Sequence, residues 1–280
     1  LVRRRLKCFG ALLPGTGRAG GNLCRSPSGG AFQIGKSLGK LGINQDLWDR
    51  PERKRRFGAG CDHDGVHSVL VDPRDSRHLV LGVAVGGGWI TRDGGKTWDL
   101  GGRGFEADYV PPNQSTDLVM PDPHLLVMSQ SLPDRVWCQH HCGIYVSDDG
   151  GWSFRESKNV NPSSFGFAVA VHPTDPDRAW FAPAQKDEIR ILVDGKLAVT
   201  ETLAVTETRD DGHTFAIREA GLPQGLPGSD LPAAFVVDST GGRLAMGSTT
   251  ESLWVSGGGG ANWDQISAHL PPIAALAFAP

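Results

Sequence analysis

The sequence lacks any apolar run approaching the roughly 18 to 20 residues that a membrane-spanning helix needs, and it has no long stretch with a helical period. No membrane partner is therefore expected. It also lacks an even set of cysteines. Cys8, Cys24, Cys61, Cys138 and Cys142 are five and irregularly spaced, so buried or free thiols are expected rather than a complete disulfide framework. Strong net charge is missing as well: 28 Lys and Arg stand against 31 Asp and Glu, and a formal net charge of -3 argues against a nucleic-acid partner. The opening LVRRRLKCFGALLPGTG is basic, but its apolar stretch is broken and holds a proline, so it does not read as a signal peptide. A cytoplasmic location is the expectation. The chain starts on Leu, as a fragment or a processed product would.

What is present is enough for a sizeable core, since 39% of the 280 residues are hydrophobic. The near-neutral total hides an asymmetry. Residues 1 to 60 hold 13 Lys and Arg against 3 Asp and Glu, leaving 15 against 28 for the remainder. A solvated basic arm accounts for this, and RPERKRRFG is the stretch that would meet a phosphate or an acidic partner.

A short pattern returns four times: Ser or Thr, any residue, Asp, any residue, Gly, two residues, then Trp or Phe. Its members are Thr91, Asp93, Gly95 and Trp98; Ser147, Asp149, Gly151 and Phe154; Thr208, Asp210, Gly212 and Phe215; and Ser256, Gly258, Gly260 and Trp263, where the Asp is lost. The aspartate can fold onto turn amides, the glycine can take a positive φ, and the aromatic can pack under the hairpin it closes. RSPSGGAF at 25 to 32 is a weaker echo. The boxes recur at intervals of 56, 61 and 48 residues, near the length of a four-stranded propeller blade. Ahead of each box runs one grammar of apolar strand, turn, apolar strand, loop and third strand, as in HSVLVDPRDSRHLVLGVAVGGGWITRDGG and AAFVVDSTGGRLAMGSTTESLWVSGGGG.

With these boxes the chain resembles the Asp-box, or BNR-repeat, β-propellers of the sialidase superfamily. PERKRRFGAGCDHDGVHSV, ADYVPP, DPHLLV, CQHHCGIYVSDDGG, FGFAVAVHP and AMGSTTESLWVS bring it nearest to bacterial BNR-repeat proteins often labelled glycosyl-hydrolase-like. The resemblance implies an all-β propeller of four-stranded antiparallel blades over residues 46–280, behind a divergent or truncated blade segment at 1–45. IAALAFAP at the C-terminus reads as a lone inner strand that would close the ring on the N-terminal segment, giving five blades, or six if residues 36 to 65 hold extra strands. In such propellers the boxes are architectural and lie away from the site. LAVTETLAVTETRDDG repeats residues 197 to 202 at 203 to 208, and one copy suffices for the strand leading into the box, so a tolerated duplication is expected.

Function is then expected in the loops that precede each first strand and join the second strand to the third, which share one face in a propeller. These loops supply Asp62, His63, Asp64 and His67; Asp108 and Tyr109; Asp122 and His124; Gln139, His140 and His141; Lys186, Asp187 and Glu188; and Thr249 and Glu251. Five of the nine histidines fall there. Asp62, Asp108, Tyr109 and Asp187 are the candidate catalytic groups, because paired carboxylates can serve as acid and base on a glycosidic bond. His63, His67, His124, Gln139, Lys186 and Glu251 are candidate ligand-binding groups, and His140 with His141 a candidate pair for a divalent metal such as zinc, whose bound water can act as a nucleophile. Sialidases of the superfamily use three arginines, a Tyr/Glu pair and an Asp acid; only Tyr109, Asp62 and Arg190 match here, so ordinary sialidase activity is not expected. The reading is a propeller binding a small molecule or glycan, with hydrolysis open, against an alternative of a non-catalytic scaffold for a protein partner.

Overall fold

The computed structural model describes residues 41–56, 65–184, 203–224, 232–249 and 251–279, with the backbone of short strands at 23–24, 32–34, 191–193 and 196–198. The candidate residues Asp62, His63, Asp64, Lys186, Asp187, Glu188 and Arg190 lie outside the described residues.

An N-terminal sheet has the order β1 (Leu23–Cys24), β2 (Phe32–Ile34), β3 (Leu41–Ile43). A five-residue helix, Gln45–Asp49, follows; the Asn44 side chain caps it by accepting from Leu47 N at 3.1 Å. The chain then runs into four four-stranded antiparallel sheets. The first has the order β4 (Val66–Asp72), β5 (Asp75–Val83), β6 (Gly87–Thr91), β7 (Asp99–Gly101). The second holds β8 (Pro123–Met128), β9 (Val136–His140), β10 (Gly143–Ser147) and β11 (Arg155–Ser157).

The third sheet departs from strict succession. It pairs β12 (Gly166–Val171), β13 (Ala179–Pro183), β16 (Val205–Thr208) and β17 (Ala216–Arg218), while β14 (Ile191–Val193) and β15 (Lys196–Ala198) form a separate two-stranded hairpin. The fourth sheet runs β18 (Pro232–Val237), β19 (Arg243–Ser248), β20 (Leu253–Gly257), β21 (Asn262–Ser267). Residues 268–279 belong to no strand. Among the described residues no helix is long and apolar enough to cross a membrane.

Successive side chains on a strand point to opposite faces, and along β6 and β13 both faces are buried, since every residue there is buried. One core gathers Val69, Leu81, Trp89 and Trp98; another gathers Ala170, Trp180, Met246, Trp254 and Trp263. The boxes build the hairpins between third and fourth strands. In the first, Thr91 Oγ1 accepts Gly95 N at 3.0 Å and donates to Asp93 Oδ1 at 2.8 Å, and Asp93 in turn accepts Thr97 N at 3.0 Å and the Thr97 hydroxyl at 2.7 Å. Asp149 does the same for Ser153 N and Oγ, and Asp210 for Thr214 N and Oγ1, at 2.5 to 2.9 Å. The box without aspartate differs: Ser256 Oγ donates to Gly257 O at 3.0 Å.

The box glycines of the later sheets also tile against the preceding sheet, Gly151 on Val80 and Gly260 on Trp180. Gly212 has φ +76, and a Cβ there would stand 2.3 Å from Ser157 Oγ and 3.4 Å from Trp137, so only glycine fits. The first turn of each sheet has its own cap at one equivalent position. Asp72 Oδ1 accepts Arg74 N, Ser129 Oγ accepts Leu132 N, His172 Nδ1 accepts Asp175 N, and Asp238 Oδ1 accepts Thr240 N. His78 is buried on β5 with Nδ1 2.9 Å from Asp72 Oδ2.

Candidate functional site

The loop joining β5 to β6 carries a strained residue. Val85 has φ +39, a conformation that a β-branched side chain rarely takes, and such strain is held only where surrounding structure compels it. The compelling contacts come from the stretch leading into β8: Pro121 O accepts both Gly86 N and Gly87 N, at 3.1 and 3.0 Å, and Asp122 Oδ1 accepts Val85 N at 3.3 Å. Asp122 is 1% exposed.

His124, also buried, stands on β8 two residues beyond Asp122, and the strand's two-residue period puts them on one side. Asp122 Oδ2 and His124 Nε2 are 3.4 Å apart, longer than an ordinary N–H···O bond. His67, from β4, places its ring centroid 6.4 Å from that of His124. His141 stands in the turn between β9 and β10 and is half-buried.

His140, expected from the sequence to share an ion with His141, is buried at the end of β9. Its Nδ1 accepts Cys142 N at 3.0 Å and its ring meets Tyr145 edge-on at 5.2 Å, whereas the His141 ring meets Phe165 edge-on at 5.2 Å. Adjacent residues at the end of a strand point to opposite sides, and this separates the pair. Gln139 is buried and braces a loop, donating to Ser164 O at 2.9 Å.

The remaining candidates stand apart. The Tyr109 hydroxyl donates to Met120 O at 2.6 Å, Asp108 beside it is exposed, and Glu251 is exposed in the β19–β20 turn with φ +78. Sequence reading names Asp122 in its loop without assigning it a role, and misses Val85 altogether. The signal for Asp122 is the Asp-x-His spacing at a strand start; nothing in the sequence marks Val85.

No protein-family model matches the sequence, and no curated protein matches it. Solved structures do. The GH74 xyloglucanase from Xanthomonas campestris aligns at 17% identity and TM-score 0.55, covering 90% of this chain and 35% of that one. A GH74 enzyme from Niastella koreensis aligns at 17% identity and TM-score 0.56, covering 89% and 36%. YCF48 from Cyanidioschyzon merolae aligns at 16% identity and TM-score 0.51, covering 76% and 60%. The fold is a β-propeller. The chain spans about a third of the length of the two GH74 enzymes, and at these identities the likeness establishes the propeller alone.

Proposed function

We propose that this propeller binds a glycan where the β5–β6 loop and the start of β8 carry Asp122 and His124. One observation supports the reading above the others: a carboxylate and an imidazole are buried together beside a strained backbone, at loops rather than in the apolar core. Burying ionisable groups costs free energy, and proteins retain such clusters chiefly where a ligand or a reaction uses them. The glycan class is suggested by the xyloglucanase among its structural neighbours, and buried polar groups of this kind suit a sugar, which offers hydroxyls at its edge.

Calorimetric titration with a panel of soluble oligosaccharides tests this. Saturable binding by the wild type that His124→Ala weakens at least tenfold, with the far-UV circular dichroism unchanged, is the expected result; no binding across the panel would overturn it.

The scaffold alternative has its own observation. Residues 271–279, PPIAALAFA, belong to no sheet, and Ala274, Ala275, Ala277 and Ala279 are exposed. That apolar stretch suits a protein partner better than a sugar, and partner capture lost on replacing Leu276 and Phe278 by Ser would favour it.

A further inference from the structure

We propose that residues 273–278 are the first strand of an incomplete sheet, and that an extended strand of a partner protein adds to it in antiparallel pairing. The proposal is independent of the glycan reading. It rests on the scaffold alternative and gives that partner a chemistry.

The sequence register is the first support. β4, β12 and β18 each begin with a register shift, between Val66 and Ser68, Gly166 and Ala168, and Pro232 and Ala234. Three residues after each start stands an apolar side chain, Val69, Val169 or Phe235, opposite Leu81, Phe181 or Met246 of the second strand. Five residues after it stands Val71, Val171 or Val237. Counted from Ile273, the same two places hold Leu276 and Phe278.

The packing agrees. β8 lies against β5 at Gly82, where a Cβ would stand 3.4 Å from Pro123, the first residue of β8, and 3.3 Å from Leu126, three residues on. Gly247 holds the place of Gly82 in the fourth sheet: it pairs with Ala234 as Gly82 pairs with Ser68, and it follows Met246 as Gly82 follows Leu81. A Cβ at Gly247 would stand 2.5 Å from Ile273, whose N donates to Ser248 O at 3.0 Å. Ile273 thus meets the fourth sheet where Pro123 meets the first. Leu276 and Phe278 are half-buried and Ala275 and Ala277 exposed, the alternation of a strand with one face covered.

What this strand lacks is the second strand that covers β4, β12 and β18. Among the described residues, 274–279 pair with no strand and make no hydrogen bond. An unpaired strand edge is a template for strand addition, in which main-chain bonds give affinity and side-chain positions give specificity. The second strands already present show what fits. β5 and β19 continue as LVLGV and LAMGS, uncharged, with Leu or Met where Leu276 would be faced and Gly where Ala275 would be faced.

The test uses the full chain and a fluorescein-labelled peptide copying residues 76–83, SRHLVLGV. Anisotropy should show saturable binding of one peptide per chain, at least tenfold tighter than for a scrambled peptide of the same composition. Bound peptide should also slow amide hydrogen exchange at 274–279. A double variant, Ala274→Pro with Ala277→Pro, removes an N–H from each edge of the strand. Both positions are exposed and outside the sheets, so far-UV circular dichroism should be unchanged while peptide affinity falls at least tenfold. No saturable binding, equal binding of the scrambled peptide, or full affinity in the folded proline variant overturns the proposal. Amides at 274–279 already protected before peptide is added overturn it too, a monomer then pointing to cover by the chain itself and a dimer in sedimentation to a second copy. Partner capture that Leu276 and Phe278 to Ser abolishes but the proline variant retains would sink strand pairing and leave the scaffold reading standing.

Discussion

The hydroxyl of Tyr109 donates to the carbonyl oxygen of Met120 at 2.6 Å, which ties the loop after β7 to the stretch that leads into Asp122. This gives the tyrosine a bracing contact, to be weighed against the nucleophilic role that the sialidase resemblance suggests. Tyr109→Phe is expected to lower stability by about 1 kcal/mol, the net value of one such bond, and to leave ligand affinity within a factor of two or three. Urea denaturation and calorimetric titration check the two halves. Abolished binding with unchanged stability would restore the functional role.

The box carboxylates make stability depend on acid. Asp93 is held well below the usual carboxylate range by Thr97 N–H and hydroxyl, and Asp210 is lowered first by the Thr214 hydroxyl and then by its amide. For Asp149 burial pulls the other way, but the Ser153 hydroxyl and amide outweigh it and the net shift is downward. A depressed folded pKa stabilises above the unfolded value of about 3.9 and loses that contribution as pH falls toward the folded value. Urea midpoints should therefore hold between pH 7 and 5 as far as these groups contribute, and drop below about pH 4. Asp93→Asn, Asp149→Asn and Asp210→Asn combined should lower stability at pH 7 and flatten the acid drop.

Glu207 on β16 is 2% exposed and meets three guanidinium groups, with Arg178 Nε at 2.8 Å and Arg209 Nε and Arg218 Nε at 2.7 Å. Burial pushes its carboxyl up, but the three arginines outweigh this and leave it lowered. Glu207→Gln strands those cations. Arg209 and Arg218 reach solvent and screen themselves, so most of the loss falls on Arg178 beneath them. A destabilisation of about 3 kcal/mol in guanidinium chloride is expected, and a value under about 1 would show that the cluster is ornamental.

Deleting residues 197–202 should preserve the third sheet. β16 is built from the second LAVTET copy, and its Thr208 caps the box through Gly212 N at 3.0 Å, whereas the first copy enters β15 in the separate hairpin. An even deletion keeps the facing of the strand. The variant should unfold cooperatively within a few degrees of the wild type in a thermal melt. A chain that cannot be refolded would show that the first copy is needed.

The sheets were legible because their signals are local: a box fixes a turn, a turn separates two alternating strands, and the order repeats. The hairpin of β14 and β15 was signalled too and passed over, since Val193 pairs with Lys196 and the two residues between them in sequence are Asp-Gly, a strong two-residue turn signal. The site was only partly readable. His67, His124 and Asp122 follow from where loops fall relative to strands, whereas the sides to which His140 and His141 turn depend on strand facing at a turn, where the two-residue period ends. Val85 could not have been foreseen, because its strain is imposed by contacts 36 and 37 residues away in sequence, at Pro121 and Asp122.

The connection from β13 to β16 is pinned at both ends: Ala184 N reaches Phe165 O at 2.7 Å, and Leu203 O accepts Gln224 Nε2 at 2.9 Å. Between fixed ends the entropic cost of a longer chain grows only with the logarithm of its length, about 0.6 kcal/mol for each doubling. That arithmetic explains how six duplicated residues could settle here without disturbing the sheet. By the same arithmetic, a foreign peptide inserted into this connection should cost the third sheet little stability.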